Sequence, residues 1–278
     1  MALLLGLVVA ASFGSGDFLG GLASRRVGPI PVLGLVQLVA VVGAVVYALT
    51  LGGELTGVDF GYGAAAGACN VVALGCLYAG LASGRMGIVA PVTAVVAACI
   101  PVAWGLATGD DLSGLALAGV VVAVASAGLV ARERDERDDA GASGALLLAL
   151  AAGALFGVSF VFYASTGNDS GAWPALGGRV ASVVLIVGFL VATRRWPPRV
   201  PGVDGRSAVA AGLLDVTATA LLLVAVREGL TAEVAPVAAL GPAFTVIWAW
   251  VVLREPIGRL QLAGLLCAFI GLAMIAAG

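Results

Sequence analysis

Residues 87–107 read GIVAPVTAVVAACIPVAWGLA. The stretch carries no charge, and a helix needs about 20 apolar residues to cross the hydrocarbon core of a bilayer. Its VAPV, at 89–92, returns at 234–237. The lack of charge sets the solvent in which the chain folds, and the recurrence sets its architecture.

Working outward, nine further runs resemble this one. Together the ten cover 2–24, 31–51, 60–82, 87–107, 113–131, 144–165, 172–193, 208–227, 233–253 and 259–277. Of the 278 residues, 61% are hydrophobic and 11% charged, and the mean hydropathy is +1.12. Soluble domains carry about 25% charged residues, so the pattern predicts an all-α integral membrane protein with ten transmembrane helices. The first run has no basic start, and its apolar stretch is too long for a signal peptide. A net charge of −2 without a basic stripe argues against nucleic acid. No His is present, so the usual metal ligand is missing. Cys69, Cys76, Cys99 and Cys267 lie in apolar runs and read as small hydrophobes. No cofactor and no metal are expected. Without a cluster of catalytic groups, an enzyme is not expected either. No nucleotide-binding motif is present, so ATP is not the direct driver.

The chain repeats itself. Shifted by 145, LALAG at 115–119 falls on LQLAG at 260–264, Gly67 on Gly212 and Asn70 on Asp215. Shifted by 143, Phe13 and Gly14 fall on Phe156 and Gly157, and Pro31 on Pro174. The reading is a first five-helix repeat over 1–131, a polar linker RERDERDDAGAS over 132–143, and a second repeat over 144–278. Five is odd, so the second copy must cross the membrane inverted, a common plan in secondary transporters. Loop charge agrees. Glu54 and Asp59 follow helix 2, whereas Arg194, Arg195, Arg199 and Arg206 follow helix 7. Asp110 and Asp111 follow helix 4, whereas Arg254 and Arg259 follow helix 9. Twelve arginines sit in alternate loops on one side, and one, Arg227, on the other. The positive-inside rule puts the Arg-rich side in the cytoplasm and both termini outside.

With these features in place, the chain resembles the EamA-type members of the drug/metabolite transporter superfamily. The stretch VAPVAALGPAFTVIWAWVVLREPIGRLQLAGLLCAFIGLAMIAAG, 234–278, carries most of the likeness. Its marks are a Glu turn at Leu253, Arg254 and Glu255, followed by Gln261, Leu262 and Gly264 at the start of a Leu/Gly-rich last helix. Asp110 stands where Glu255 does in the second half. The resemblance implies alternating access around a midplane cavity lined by helices 1, 3, 4, 6, 8 and 9, with helices 5 and 10 outside. It also implies cytoplasmic termini, against the Arg count.

The candidate site residues are polar groups inside apolar helices. A carboxylate at the bilayer centre costs about 2.5–3.5 kcal/mol. Asp17 and Asp215 are therefore expected to face water and to carry a proton, a cation or a substrate amine, since a shielded carboxylate can exchange a proton near neutrality. Asp17 can instead pair with Arg25 or Arg26, and Asp215 with Asn70 or Arg179. Asn70 and Asp215, as repeat mates, are expected to meet across the pseudo-two-fold axis. Arg179 can clamp a substrate carboxylate or neutralise an aspartate, and Gln37 holds nearly the corresponding place in helix 2. Thr93, Ser159, Tyr163, Thr217 and Thr219 can line the cavity or bond back to their own helices. Gly16 with Gly20, and Gly63 with Gly67, form small faces for close helix approach. Pro91 and Pro236 occupy matching places and can hinge their helices, because Pro removes a ladder bond. Trp104 and Trp248 can wall the cavity.

The expected function is a secondary transporter, an exporter of a small metabolite, amino acid or amphipathic compound, proton-coupled and multi-pass in the cytoplasmic membrane. A non-transporting structural or assembly membrane protein is the alternative. The expected partners are the small-molecule substrate and the lipid bilayer, with a homodimer left open.

Overall fold

The computed structural model describes residues 2–109, 113–132, 139–227, 241–254 and 258–277. Its helices are α1 (Ala2–Val27), α2 (Pro29–Leu51), α3 (Gly57–Ala82), α4 (Met86–Thr108), α5 (Gly114–Arg132), α6 (Asp139–Ala164), α7 (Trp173–Ala192), α8 (Gly202–Arg227), α9 (Gly241–Leu253) and α10 (Arg259–Ala277). No strand occurs among the described residues.

Each apolar run of the sequence holds one helix. α1 to α4 and α6 to α8 are long and apolar enough to cross a membrane, while α5, α9 and α10 are apolar but shorter over their described parts. The part of the ninth run before Gly241 lies outside the described residues, as do Pro236, Asp110, Asp111, Glu255 and residues 133–138 of the linker. The helices also outrun the apolar segments. α6 begins at Asp139 and α8 at Gly202, so polar residues read as linker or loop are helical. In α8 this puts Asp204 in the first turn, where a carboxylate complements the positive helix end.

Helix starts follow local chemistry. Pro29 opens α2 and Pro174 stands at the start of α7, where the missing N–H costs nothing. Thr56 caps α3 by accepting from the Asp59 amide at 3.1 Å. Large apolar side chains cover the outside. Leu49 is 70% exposed and Val121 69%, which only hydrocarbon makes tolerable.

Contacts at the two ends of the bundle fit alternate crossing. At one end Arg26, in the last turn of α1, meets Asp204 of α8 at 3.5 Å. At the other, the α2–α3 turn is knitted to the α6–α7 turn. There the Glu54 amide donates to Asp169 O at 2.8 Å, Trp173 Nε1 donates to Gly53 O at 3.0 Å, and the Gly167 amide donates to Asp59 Oδ1 at 2.9 Å.

Inside, α1 packs on α8 and α9, α3 on α6 and α7, α4 on α6, and α2 on α7 and α8. α5 and α10 pack chiefly on each other. The α3–α7 seam is the tightest. Gly63 and Gly67 lie against the backbones of Pro174 and Gly178, so the expected small-residue face is there. Gly16 and Gly20 do not form one face. Gly16 meets Ala211 and Leu214 of α8, while Gly20 makes room for the ring of Tyr78 from α3.

Candidate functional site

The seams that hold the bundle also aim its polar side chains. Gly177 and Gly178 have no side chains to keep α3 away, and the Tyr163 hydroxyl of α6 fills the space a Gly178 side chain would need. The next residue, Arg179, reaches towards α2 and α8. Its Nη2 lies 2.5 Å from Asp215 Oδ2. Its Nη1 donates to Gln37 Oε1 at 3.2 Å, and Nη2 donates to Thr219 Oγ1 at 3.4 Å. Thr219 in turn donates back to the Asp215 carbonyl at 2.9 Å, which fixes the hydroxyl that receives the arginine. The Tyr47 hydroxyl lies beside the guanidinium without forming a well-aligned hydrogen bond.

Valences are left open. Arg only donates, so the Gln37 oxygen must face it, and Nε2 is turned the other way. Gln37 is fully buried, and Nε2 has no acceptor. Asp215 Oδ2 has its ion pair but no hydrogen bond of good geometry. Asp215 keeps 23% of its side-chain surface and Arg179 12%, although both lie well inside apolar helices.

Asp17 joins from α1. Its neighbour Gly16 lies against α8, and Asp17 is within electrostatic reach of Asp215 and of Tyr78. The pairing of Asp17 with Arg26 is not seen, because Arg26 goes to Asp204. Asp17 thus stands near the Asp215 carboxylate that Arg179 pairs with.

Asn70 is the departure from expectation. Asp215 takes Arg179 instead, since a charge in apolar surroundings gains more from an ion than from an amide. α3 seats on α6 and α7 while α8 seats on α1 and α2, so the two repeat mates are held on different seams. Half-buried Asn70 belongs to none of the bonds above. Pro91 is buried inside α4, where it removes a ladder bond.

Of the remaining hydroxyls, Thr93 Oγ1 donates to Ala149 O of α6 at 3.2 Å, a helix-to-helix bond. Thr217 is exposed on α8. Ser159 Oγ is buried without a partner. Trp248 Nε1 donates to Ser15 Oγ at 2.8 Å and its ring lies 6.4 Å from that of Phe18, tying α9 to α1. Trp104 is 56% exposed.

Sequence reasoning missed Tyr47 and Tyr78. Both are buried within apolar helices, where a phenol needs a partner for its hydroxyl. That need was the available signal.

Residues 143–277 match the EamA-like transporter family. The match spans just under half of the chain, in its second half. No curated protein matches the chain at a significant level. A solved crystal structure of a protein is similar over 99% of this chain and 95% of its own, with a TM-score of 0.65 and 15% identity. At that identity the likeness speaks for the fold alone, and it spans both halves of the chain. The matched segment and the long apolar helices fit a multi-pass membrane protein. The charged cluster on α1, α2, α7 and α8 therefore lies partly outside the matched segment, because Asp17 and Gln37 come from the first half.

Proposed function

We propose that this EamA-like protein is a secondary transporter that exports a small metabolite, amino acid or amphipathic compound across the cytoplasmic membrane by alternating access. Asp17, Gln37, Asn70, Arg179 and Asp215 form its substrate and ion site, and proton exchange on the two carboxylates couples the cycle. The observation that carries this reading is the Arg179–Asp215 pair beside the unpartnered Gln37 amide. A structural salt bridge would be surrounded by satisfied groups. This one leaves donors unused and keeps surface uncovered, as a site does before its ligand arrives. A substrate carboxylate can take Arg179 from Asp215, and the released Asp215 can take a proton or a substrate amine.

The halves, 1–131 and 144–278, act in this proposal as inverted repeats. The pairing of α1 with α8 and of α3 with α6 supports it, since exchanging equivalent helices turns one pair into the other. Pro91 and Pro236 are the proposed hinges of equivalent helices.

The test is reconstitution in liposomes with an internal pH-sensitive dye, screening amino acids, sugars and cationic compounds. One substrate class is expected to drive a proton flux that Asp215→Asn abolishes and Asp17→Asn reduces. Substrate-driven flux unchanged in both variants would overturn the site assignment.

A further inference from the structure

An open recess lies between α2 and the first half of α8, and none of the charged cluster's residues lines it. It is an open groove of about 510 Å³, and its walls include Leu35, Val200, Gly205, Arg206, Val209 and Leu213. Four features of the groove specify an occupant.

The first is length. From Gly202 to Leu213 a helix rises about 16 Å, enough to hold a headgroup beside its first turns and the upper part of an acyl chain beside the next ones. The second is polarity along that length. The inner part is lined by Val209 and Leu213, which are 37% and 53% exposed. The outer part holds Arg206, exposed one turn from the helix start. The third is uncompensated charge. Asp204, the acid in the same turn, is paired with Arg26, so it does not neutralise Arg206. The loop leading in adds exposed Arg194, Arg195 and Arg199. The fourth is the start of α8 at Gly202, whose first amides have no intrahelical acceptor and favour an anion.

We propose that this groove is a binding site for an anionic phospholipid, with one acyl chain laid along Val209 and Leu213 and the phosphate held by Arg206. A soluble anion would use the arginine but not the apolar floor. A neutral lipid would use the floor but not the arginine. The groove offers both at the spacing of a headgroup above its chain, and basic pockets between transmembrane helices recognise anionic headgroups in this way.

The test uses the full chain purified in detergent and titrated with phosphatidylglycerol, phosphatidylcholine or glycerol phosphate, with bound lipid counted by native mass spectrometry. Phosphatidylglycerol is expected to bind more tightly than phosphatidylcholine. Arg206→Ala should weaken it about fivefold. Val209→Trp, which fills the floor and keeps the charge, should also weaken it, and Arg259→Ala, on a different helix, should not. Each variant is checked for folding by its helical circular dichroism. Equal losses from Arg206→Ala and Arg259→Ala would mean diffuse charge attraction and overturn the site. So would equal binding of phosphatidylcholine. Competition by glycerol phosphate with no effect of Val209→Trp would reassign the groove to a soluble anion and also overturn the proposal.

Discussion

Polar groups are handled in two ways in this bundle. Along the helix seams, three buried hydroxyls find carbonyls on facing helices. Ser182 donates to Gly67 O at 2.8 Å, Thr93 to Ala149 O at 3.2 Å and Thr245 to Gly14 O at 3.0 Å. At the centre, Arg179, Asp215 and Gln37 meet with valences left over. The seams show that this fold can satisfy buried polar groups between helices, which hydrocarbon rewards. The open centre therefore calls for a reason beyond folding, and the proposed transport supplies it.

The sharpest way to break this comparison is Arg179→Leu. It strands Asp215, and removing one partner of a buried ion pair costs about 3–5 kcal/mol. The variant should lose transport and melt well below the parent. In Arg179→Leu/Asp215→Leu both charges are gone, and the thermal midpoint should return while flux in liposomes stays absent. Flux in the double variant would make the centre a structural salt bridge.

Gly67→Ala attacks the seam instead. The added methyl would run into the Gly178 backbone, which cannot move aside as a side chain can, so α3 and α7 must part. The cost is about 1–3 kcal/mol. A denaturation series should show that loss, with flux per folded molecule close to the parent. A variant that stays stable but stops transporting would place the seam in the moving machinery.

Gln37→Glu sharpens the contrast at smaller scale. The shape and the oxygen that receives Arg179 remain, the unused Nε2 donor disappears, and the added carboxylate charge sits within reach of Arg179, which offsets part of its burial. The thermal midpoint should fall only modestly. The substrate concentration for half-maximal flux should rise roughly fivefold, the worth of one hydrogen bond of about 1 kcal/mol. An unchanged value would remove Gln37 from the site.

The two regions were not equally legible in the sequence. Hydrocarbon demands long apolar helices, so runs such as 31–51 and 172–193 nearly coincide with Pro29–Leu51 and Trp173–Ala192. Helix ends outside the oil obey capping chemistry instead, which is why α8 starts at Gly202 rather than at 208. At the site, Asp17, Arg179 and Asp215 were legible because charge inside an apolar helix is expensive. Gln37 was found through its likeness in position to Arg179. The choice of partner was not legible. Repeat mates Asn70 and Asp215 were expected to meet, but which seam a helix joins depends on glycine contacts such as Gly67 against Gly178, and these depend on two distant segments at once. Tyr47 and Tyr78 were missed because a single phenol in an apolar helix resembles any core aromatic until its neighbours are known.

The smallest effect should come from Ser182→Ala, for a reason that separates the two regions. The Gly67 carbonyl that receives Ser182 also accepts the ladder bond of α3, because a carbonyl has two lone pairs. Losing the serine removes the second bond and strands nothing, whereas losing Arg179 strands a charge. Bonds of this kind between membrane helices average about 0.6 kcal/mol. Ser182→Ala should therefore lower the thermal midpoint slightly and leave both maximal flux and half-saturation unchanged. Thr93→Val and Thr245→Val should behave alike if the seams are equivalent. A selective loss of flux in one of the three would identify the seam that opens and closes during transport, and would transfer that helix pair from the scaffold to the mechanism.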